Sequence, residues 1–226
     1  MSEGPRITLE NAKRVGRVLV ERWGIGERTP AGDYASLFVG SVRRRCPTVG
    51  DIEIVAPAPL HARPSVGDDP LFARINATID NPWSEPGLFG TPAPPPCANP
   101  VGSATRGFKP GFLEARFSLR PWPGFTIACQ VFRYTPRNRG WVILMRTGPG
   151  EFGKWFLGQW KKRYSIPMGT DEDRGSRDGH LVDAAGNIVD VPAEAAAFDL
   201  AGVPWVPPER RDQFMVERQA LRETYR

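Results

Sequence analysis

The chain is poor in histidine, cysteine and lysine. Of its 226 residues, two are histidine and three are cysteine. With His61 and His180 alone, a histidine-rich metal site is excluded, and a Ser-His-Asp or Cys-His mechanism would rest on one of two histidines in loop-like sequence. Cys46, Cys97 and Cys129 are odd in number, far apart and outside any CxxC spacing. That pattern argues against a disulfide framework or zinc knuckle and for reduced thiols. No apolar run approaches the ~20 residues of a membrane helix, and Met1 to Trp23 is charged throughout. The expectation is a soluble, cytoplasmic protein with neither a spanning segment nor a secretory signal. No internal repeat is visible.

What is present is ordinary globular composition, 40% hydrophobic and 24% charged. The net charge is +5 and the pI about 9.4, so a polyanion such as a nucleotide or nucleic acid is a candidate partner. The cations are 25 arginines against 5 lysines. Arginine suits bidentate phosphate contacts, although a GC-rich coding bias yields the same ratio.

Thr8 reads as an N-cap with Glu10 in the first turn, and Ala12, Val15, Val18, Leu19 and Trp23 recur at helical spacing up to Gly24. Ser36 to Val39 reads as a short strand, followed by Gly40-Ser41 and a basic turn, Arg43-Arg44-Arg45, where a phosphate could sit. Gly50 to Val55 alternates acidic and aliphatic residues with period two, so one face is buried and the other presents Asp51 and Glu53, about 6–7 Å apart. Residues 82 to 100 carry seven prolines and no periodicity, a long loop or insertion. Phe112 to Leu119 and Phe125 to Tyr134 flank Pro121-Trp122-Pro123-Gly124 as a hairpin. Gly140 to Leu144 predicts a further strand, and Phe152 to Arg163 a helix with Lys161, Lys162 and Arg163 at its negative end. Leu181 to Asp183 and Ile188 to Val191 form a second hairpin. Pro192 stands where a first helical position would be, in a helix stopped by Gly202. Pro207-Pro208 opens a last charged helix with Phe214, Leu221 and Tyr225 on one stripe.

Phosphoryl transfer by divalent cations needs carboxylates clustered on a rigid strand and donors nearby for a triphosphate. Residues 40 to 53 supply both: Ser41 and its backbone amides could cradle a phosphate, Arg44 could neutralise it, and the acidic pair follows on the next strand. The competing reading is a surface strand with solvated acids after a basic turn. Trp122, Trp141, Trp155 and Trp160 read as packing residues rather than base-stacking platforms. Arg139, Lys161, Lys162 and Arg163 could track a nucleic-acid backbone or be a solvated loop and helix end.

The combined stretch Gly40-Ser41-Val42-Arg43-Arg44 with Val49-Gly50-Asp51-Ile52-Glu53-Ile54-Val55 resembles the palm signature of the DNA polymerase X family. Met145-Arg146-Thr147-Gly148-Pro149-Gly150-Glu151-Phe152 is similar to the family's palm-thumb junction. Val191 to Arg210, with Glu194, Phe198, Leu200, Gly202, Pro204-Trp205 and Pro207-Pro208, resembles its thumb ending. The form is that of compact stand-alone members found in phage and prokaryotic genomes. The resemblance implies an α+β fold: a nucleotidyltransferase (polymerase beta-like) palm with a mixed antiparallel sheet flanked by helices, then a small α+β thumb-like lobe. Residues 1–35 would pack on the palm, 36–145 form it with a proline-rich insertion at 81–105, and 146–226 form the lobe. No lyase domain or helix-hairpin-helix fingers precede Thr8, so duplex gripping and deoxyribose phosphate removal are not expected.

Residue by residue, the resemblance implies that Asp51 and Glu53 ligate Mg2+ or Mn2+. Gly40, Ser41, Arg44 and Gly50 would face the triphosphate, and Thr147 and Gly148 would lie under the nucleotide sugar. Glutamate replaces the usual aspartate at Glu53. Pro149 follows Gly148 at the family's strained turn, and because an X-Pro bond favours trans by only about 0.5–1 kcal/mol, a cis Gly148-Pro149 bond is predicted. Gly153 removes a base-edge contact. The family's third carboxylate falls seventeen positions before Thr147, at Gln130, and no Asp or Glu lies between Phe117 and Arg146. Glutamine can offer a carbonyl oxygen but neither charge nor a base for a 3'-hydroxyl proton. The metal on that side should bind more weakly, and Glu114 on the partner strand is the one nearby acid that could substitute.

The implied function is transfer of a nucleoside monophosphate from a dNTP or NTP to a nucleic-acid 3'-hydroxyl, DNA ahead of RNA, by two-metal catalysis weakened at Gln130. The alternative is a catalytically impaired relative that binds a nucleotide or nucleic acid. A third reading, an interaction protein using the proline-rich loop and the charged C-terminal helix, has no motif behind it.

Overall fold

The computed structural model describes residues 6–25, 37–58, 71, 74–75, 105–109, 112–122, 125–167, 175–177 and 179–224, with 105–109, 112–122 and 125 as backbone strand only. The proline-rich stretch 82–100, His61, Cys97 and Tyr225 lie outside these residues.

The chain is mixed α+β, ordered β1 (Ile7–Thr8), α1 (Leu9–Arg22), β2 (Leu37–Phe38), α2 (Gly40–Arg43), β3 (Thr48–Val49), β4 (Asp51–Pro57), β5 (Thr105–Lys109), β6 (Phe112–Trp122) and β7 (Phe125–Tyr134). There follow α3 (Arg139–Thr147), α4 (Gly150–Arg163), β8 (Ser176–Arg177), β9 (His180–Val182), β10 (Ile188–Val189), α5 (Glu194–Ala201), a 3-10 turn at Pro208–Arg210 and α6 (Arg211–Thr224). A five-stranded sheet has the order β2-β4-β7-β6-β5. Its β4–β7 pair is parallel and its other pairs are antiparallel.

Each face of this sheet is covered by a helix whose spacing demands it. The Thr8 hydroxyl accepts from Asn11 N at 3.3 Å, capping α1 as its sequence predicts. The apolar stripe Ala12, Val15, Leu19 and Trp23 then joins Ile52, Ile54, Ile127, Cys129 and Val131 in one buried cluster. On the opposite face Val55, Phe132 and Tyr134 pack with Val39 and with Val142 and Ile143 of α3. Burying each such side chain contributes about 1.5–3 kcal/mol, so the sheet is fixed between two helices.

The strand predicted over Gly140 to Leu144 is instead part of α3. The run Trp141-Val142-Ile143-Leu144 is apolar all round because α3 is buried on two sides. Val142 and Ile143 face the sheet, while Trp141 and Leu144 join Phe152, Phe156, Trp160, Leu181, Val191 and Phe198 in the C-terminal core. A short continuous apolar run does not distinguish a buried strand from a doubly buried helix. Gly140 N donates to Val191 O at 2.7 Å, and a Cβ at Gly140 would collide with the Ala193 carbonyl, so glycine lets α3 meet the start of α5.

In the C-terminal lobe α4 lies as predicted, with Trp160 Nε1 donating to Val182 O at 2.8 Å. The β9–β10 hairpin gains a third strand, β8, which no local pattern announces. Gly202 ends α5 in the left-handed conformation, as expected, but Pro192 precedes the cap residue Ala193 rather than filling the first helical position. The stripe expected on the last helix is only partly used: Phe214 packs on Phe152 and Trp155, whereas Leu221 is 57% exposed. Among the described residues no helix is long and apolar enough to cross a membrane.

Candidate functional site

Alternation along β4 places Ile52 and Ile54 in the core and half-buries Asp51 and Glu53 on the other face. The parallel register with β7 sets Glu53 opposite Gln130 and Asp51 opposite Ala128. The Gln130 side-chain amide donates to Asp51 Oδ2 at 3.1 Å. The position reached by counting back from Thr147 therefore lies beside both acids. The antiparallel register of β6 sets Arg116 opposite Gln130, and Glu114 one step further along, opposite Phe132.

Gly40, the first residue of α2, approaches this acidic face. Its φ is 60°, and a Cβ there would overlap the Glu53 carboxylate. Glycine is thus required twice, for the left-handed backbone and for the space Glu53 occupies. Val39 N donates to Glu53 O at 3.0 Å, tying the loop to the strand. Ser41 is half-buried in α2, and its carbonyl accepts from Cys46 N at 3.0 Å. The predicted basic turn is more structured than expected: Gly40–Arg43 is a single helical turn, Arg44 caps it, and Arg45 takes a φ of 60°. Gly50, exposed, enters β4 beside Arg6, which donates to both Thr48 Oγ1 and Thr48 O at 3.0 Å.

The two arginines of α2 and its cap diverge. Arg43 donates to Thr147 Oγ1 at 2.7 Å and to Glu194 Oε2 at 2.6 Å. Arg44 donates from Nε to Asp212 Oδ2 at 2.8 Å and from Nη1 to the Thr147 carbonyl. Thr147 is fully buried and its hydroxyl is engaged by Arg43, so its side chain organises the site from beneath. The Gly148-Pro149 peptide bond is cis, as predicted, and a Cβ on Gly148 would lie 3.2 Å from Arg44 Nη1.

Glu194 bridges two cations. Its second oxygen accepts from Arg211 Nη2 at 2.8 Å, and Arg211, with no exposed surface, also donates to Val206 O at 3.2 Å. The Arg211 guanidinium lies 4.7 Å from the Phe152 ring centroid. Burial pulls the Arg211 pKa below its ordinary value, with Glu194 opposing the shift. Behind the acids, burial first and the Asp51 charge second push the Cys129 thiol well above its ordinary value. Arg146, on the last turn of α3, stacks 4.0 Å from the Phe132 ring centroid.

Gly40, Arg44, Asp51, Glu53, Gln130, Thr147 and Gly148 thus belong to one region, linked through Gly40–Glu53, Gln130–Asp51 and Arg44–Thr147, whereas Ser41 joins it only as the residue after Gly40 and Gly50 lies against Arg6. Sequence reasoning did not assign the partners that fix it: Glu194 on Arg43, Arg211 on Glu194, and Asp212 on Arg44. Only the resemblance touched Glu194, because ion pairs between residues this far apart in the chain leave no local signature. Asp51 and Glu53 provide the hard oxygen donors that suit Mg2+. Among the described residues no group of three or more His, Cys, Asp or Glu gathers, and the third position carries an amide that donates to Asp51. With an amide at the third position, the carboxylate pair has no third acidic ligand on this face among the described residues. No protein-family model matches the chain, and no curated protein matches it.

Proposed function

We propose that the protein is a metal-dependent nucleotidyltransferase of polymerase-X type, moving a nucleoside monophosphate from a dNTP or NTP to a nucleic-acid 3'-hydroxyl, with DNA ahead of RNA as acceptor. One observation carries the reading. Asp51, Glu53 and Gln130 occupy adjoining positions on one face of the parallel β4–β7 pair, with Gly40 against Glu53 and Arg44, which caps the helical turn that Gly40 begins, bonded to the Thr147 carbonyl.

In this reading Asp51 and Glu53 hold Mg2+, which when bound supplies charge neutralisation and polarisation of the triphosphate. The main chain around Ser41 and the Arg44 guanidinium bind the phosphates, and the turn at Gly148 supports the sugar. The hydroxyl oxygen attacks the α-phosphorus, the bond to the β-phosphate oxygen breaks, and pyrophosphate leaves. The hydroxyl proton needs an acceptor. Gln130 is neutral and cannot be it, so that proton passes to Asp51 or to solvent, and turnover is slow.

A second reading, a nucleotide-binding relative with impaired chemistry, is favoured by the same Gln130–Asp51 hydrogen bond. The two are separated by incubating the protein and its Asp51→Asn variant with labelled dNTPs or NTPs, Mg2+ or Mn2+, and single-stranded, gapped and RNA primers. Extension by the wild type and silence of the variant supports the transferase. Metal-dependent nucleotide binding without extension supports the binding relative, and neither outcome in any combination removes both.

A further inference from the structure

We propose that Asp212, on the first turn of α6, is a positioning residue that orients Arg44 for a triphosphate; this rests on the reading of Arg44 as a phosphate contact. The guanidinium of Arg44 is held at two of its three nitrogens. Nε donates to Asp212 Oδ2 at 2.8 Å, and Nη1 donates to the Thr147 carbonyl. Nη2 has no hydrogen-bond partner among the described residues. The fork is therefore fixed by acceptors on one side, and with the side chain 14% exposed, Nη2 is the donor left for an anion.

Asp212 takes its place from a rigid neighbour. Its own side chain is 51% exposed, but the preceding residue, Arg211, is fully buried, bonded to Glu194 and Val206 O and stacked on Phe152. The first turn of α6 is thereby pinned to the lobe core, and the Asp212 carboxylate is delivered to Arg44 with little freedom. Cys46 Sγ, 3.9 Å from the same Oδ2, flanks it.

A carboxylate beside a phosphate-binding arginine has two opposite consequences. It repels the incoming phosphates, and it removes the need to order a long side chain on binding. Asp212 is half-exposed, so its repulsion is screened. Without Asp212 the guanidinium keeps only the Thr147 carbonyl and regains rotamer freedom that a bound phosphate must then remove, and this ordering effect opposes the screened repulsion. Three cations, Arg43, Arg44 and Arg211, also outnumber the two carboxylates Glu194 and Asp212, so the cluster keeps a net positive charge with Asp212 in place.

The test is titration of dATP and of dAMP, each with Ca2+ in place of Mg2+ to prevent turnover, into the wild type, Asp212→Ala, Asp212→Glu, Arg44→Ala and the Arg44→Ala, Asp212→Ala double variant. Melting temperatures verify that each variant is folded. Positioning predicts about tenfold weaker dATP binding by Asp212→Ala, unchanged dAMP binding, recovery of most of the affinity in Asp212→Glu, and a double variant no weaker than Arg44→Ala. Unchanged or tighter dATP binding by Asp212→Ala, with Arg44→Ala weakened, overturns the role of Asp212 alone. If Arg44→Ala itself binds dATP normally, the phosphate reading of Arg44 fails and takes the proposal with it.

Discussion

Gln130 donates its side-chain amide to the Asp51 carboxylate across the parallel β4–β7 pair, 3.1 Å from nitrogen to oxygen. An amide proton thus occupies an Asp51 lone pair, and in the proposed two-metal chemistry this is the position where a third carboxylate would stand. Under the proposed reading, this arrangement would hold a nucleotide and one cation but would lack a dedicated base.

Gly40 tests whether Glu53 has the place this account requires. Gly40→Ala adds a methyl where the Glu53 carboxylate lies and strains a backbone with φ of 60°. A non-glycine residue in the left-handed region costs about 1–2 kcal/mol before any clash. Urea denaturation is expected to show at least that loss, and Mn2+ binding followed by electron paramagnetic resonance is expected to weaken. Unchanged Mn2+ affinity would mean that Glu53 is not a ligand.

Glu194 is expected to be a stability residue. Glu194→Ala leaves Arg211, fully buried, with its charge uncompensated. Breaking a buried ion pair at one end costs about 3–5 kcal/mol. Adding Arg211→Met to that variant should recover part of the loss, because the apolar chain fills the space without a charge. Equal stability of wild type and Glu194→Ala in urea would contradict the network.

Cys129 gives the fold a pH dependence on the alkaline side. Its folded pKa is raised above the ordinary 9.0 by burial and by Asp51. Its contribution is complete below 9.0 and declines as pH rises above it, because the unfolded thiol ionises while the folded one keeps its proton. Between pH 8 and 10 the wild type should lose more stability than Cys129→Ala, measured by urea midpoints. Parallel pH profiles would contradict the assignment.

Legibility followed range. The half-buried β4 is readable because period-two alternation is local, and so are α1, from its cap and stripe, and the β6–β7 hairpin; the cis bond at Pro149 follows from the resemblance together with the weak trans preference of an X-Pro bond. Gln130 was found by counting from Thr147, and the strand register sets it opposite Glu53. α3 was misread because burial on two sides erases helical periodicity. β8 exists only through its pairing with β9. Arg211 has no sequence signal of its own, since nothing near it in the chain announces Glu194, seventeen residues earlier. The stripe through Leu221 had helical spacing, but spacing does not reveal whether a partner surface extends that far.

The end of α6 provides a control for that distinction. Leu221→Glu, at a position 57% exposed, should change stability by no more than about 0.5 kcal/mol. Phe214→Ala should cost several times more, because Phe214 packs edge-on against Trp155 at a 4.8 Å centroid distance. A large loss from Leu221→Glu would show that the helix end is covered in solution.

The most direct test of the central claim is the rate of labelled nucleotide addition to a primer end by the wild type, Gln130→Asp and Asp51→Asn at saturating Mg2+. The account predicts at least tenfold faster addition by Gln130→Asp, where a carboxylate that can accept a proton replaces an amide, and no addition by Asp51→Asn. Rates that respond to neither substitution would contradict it.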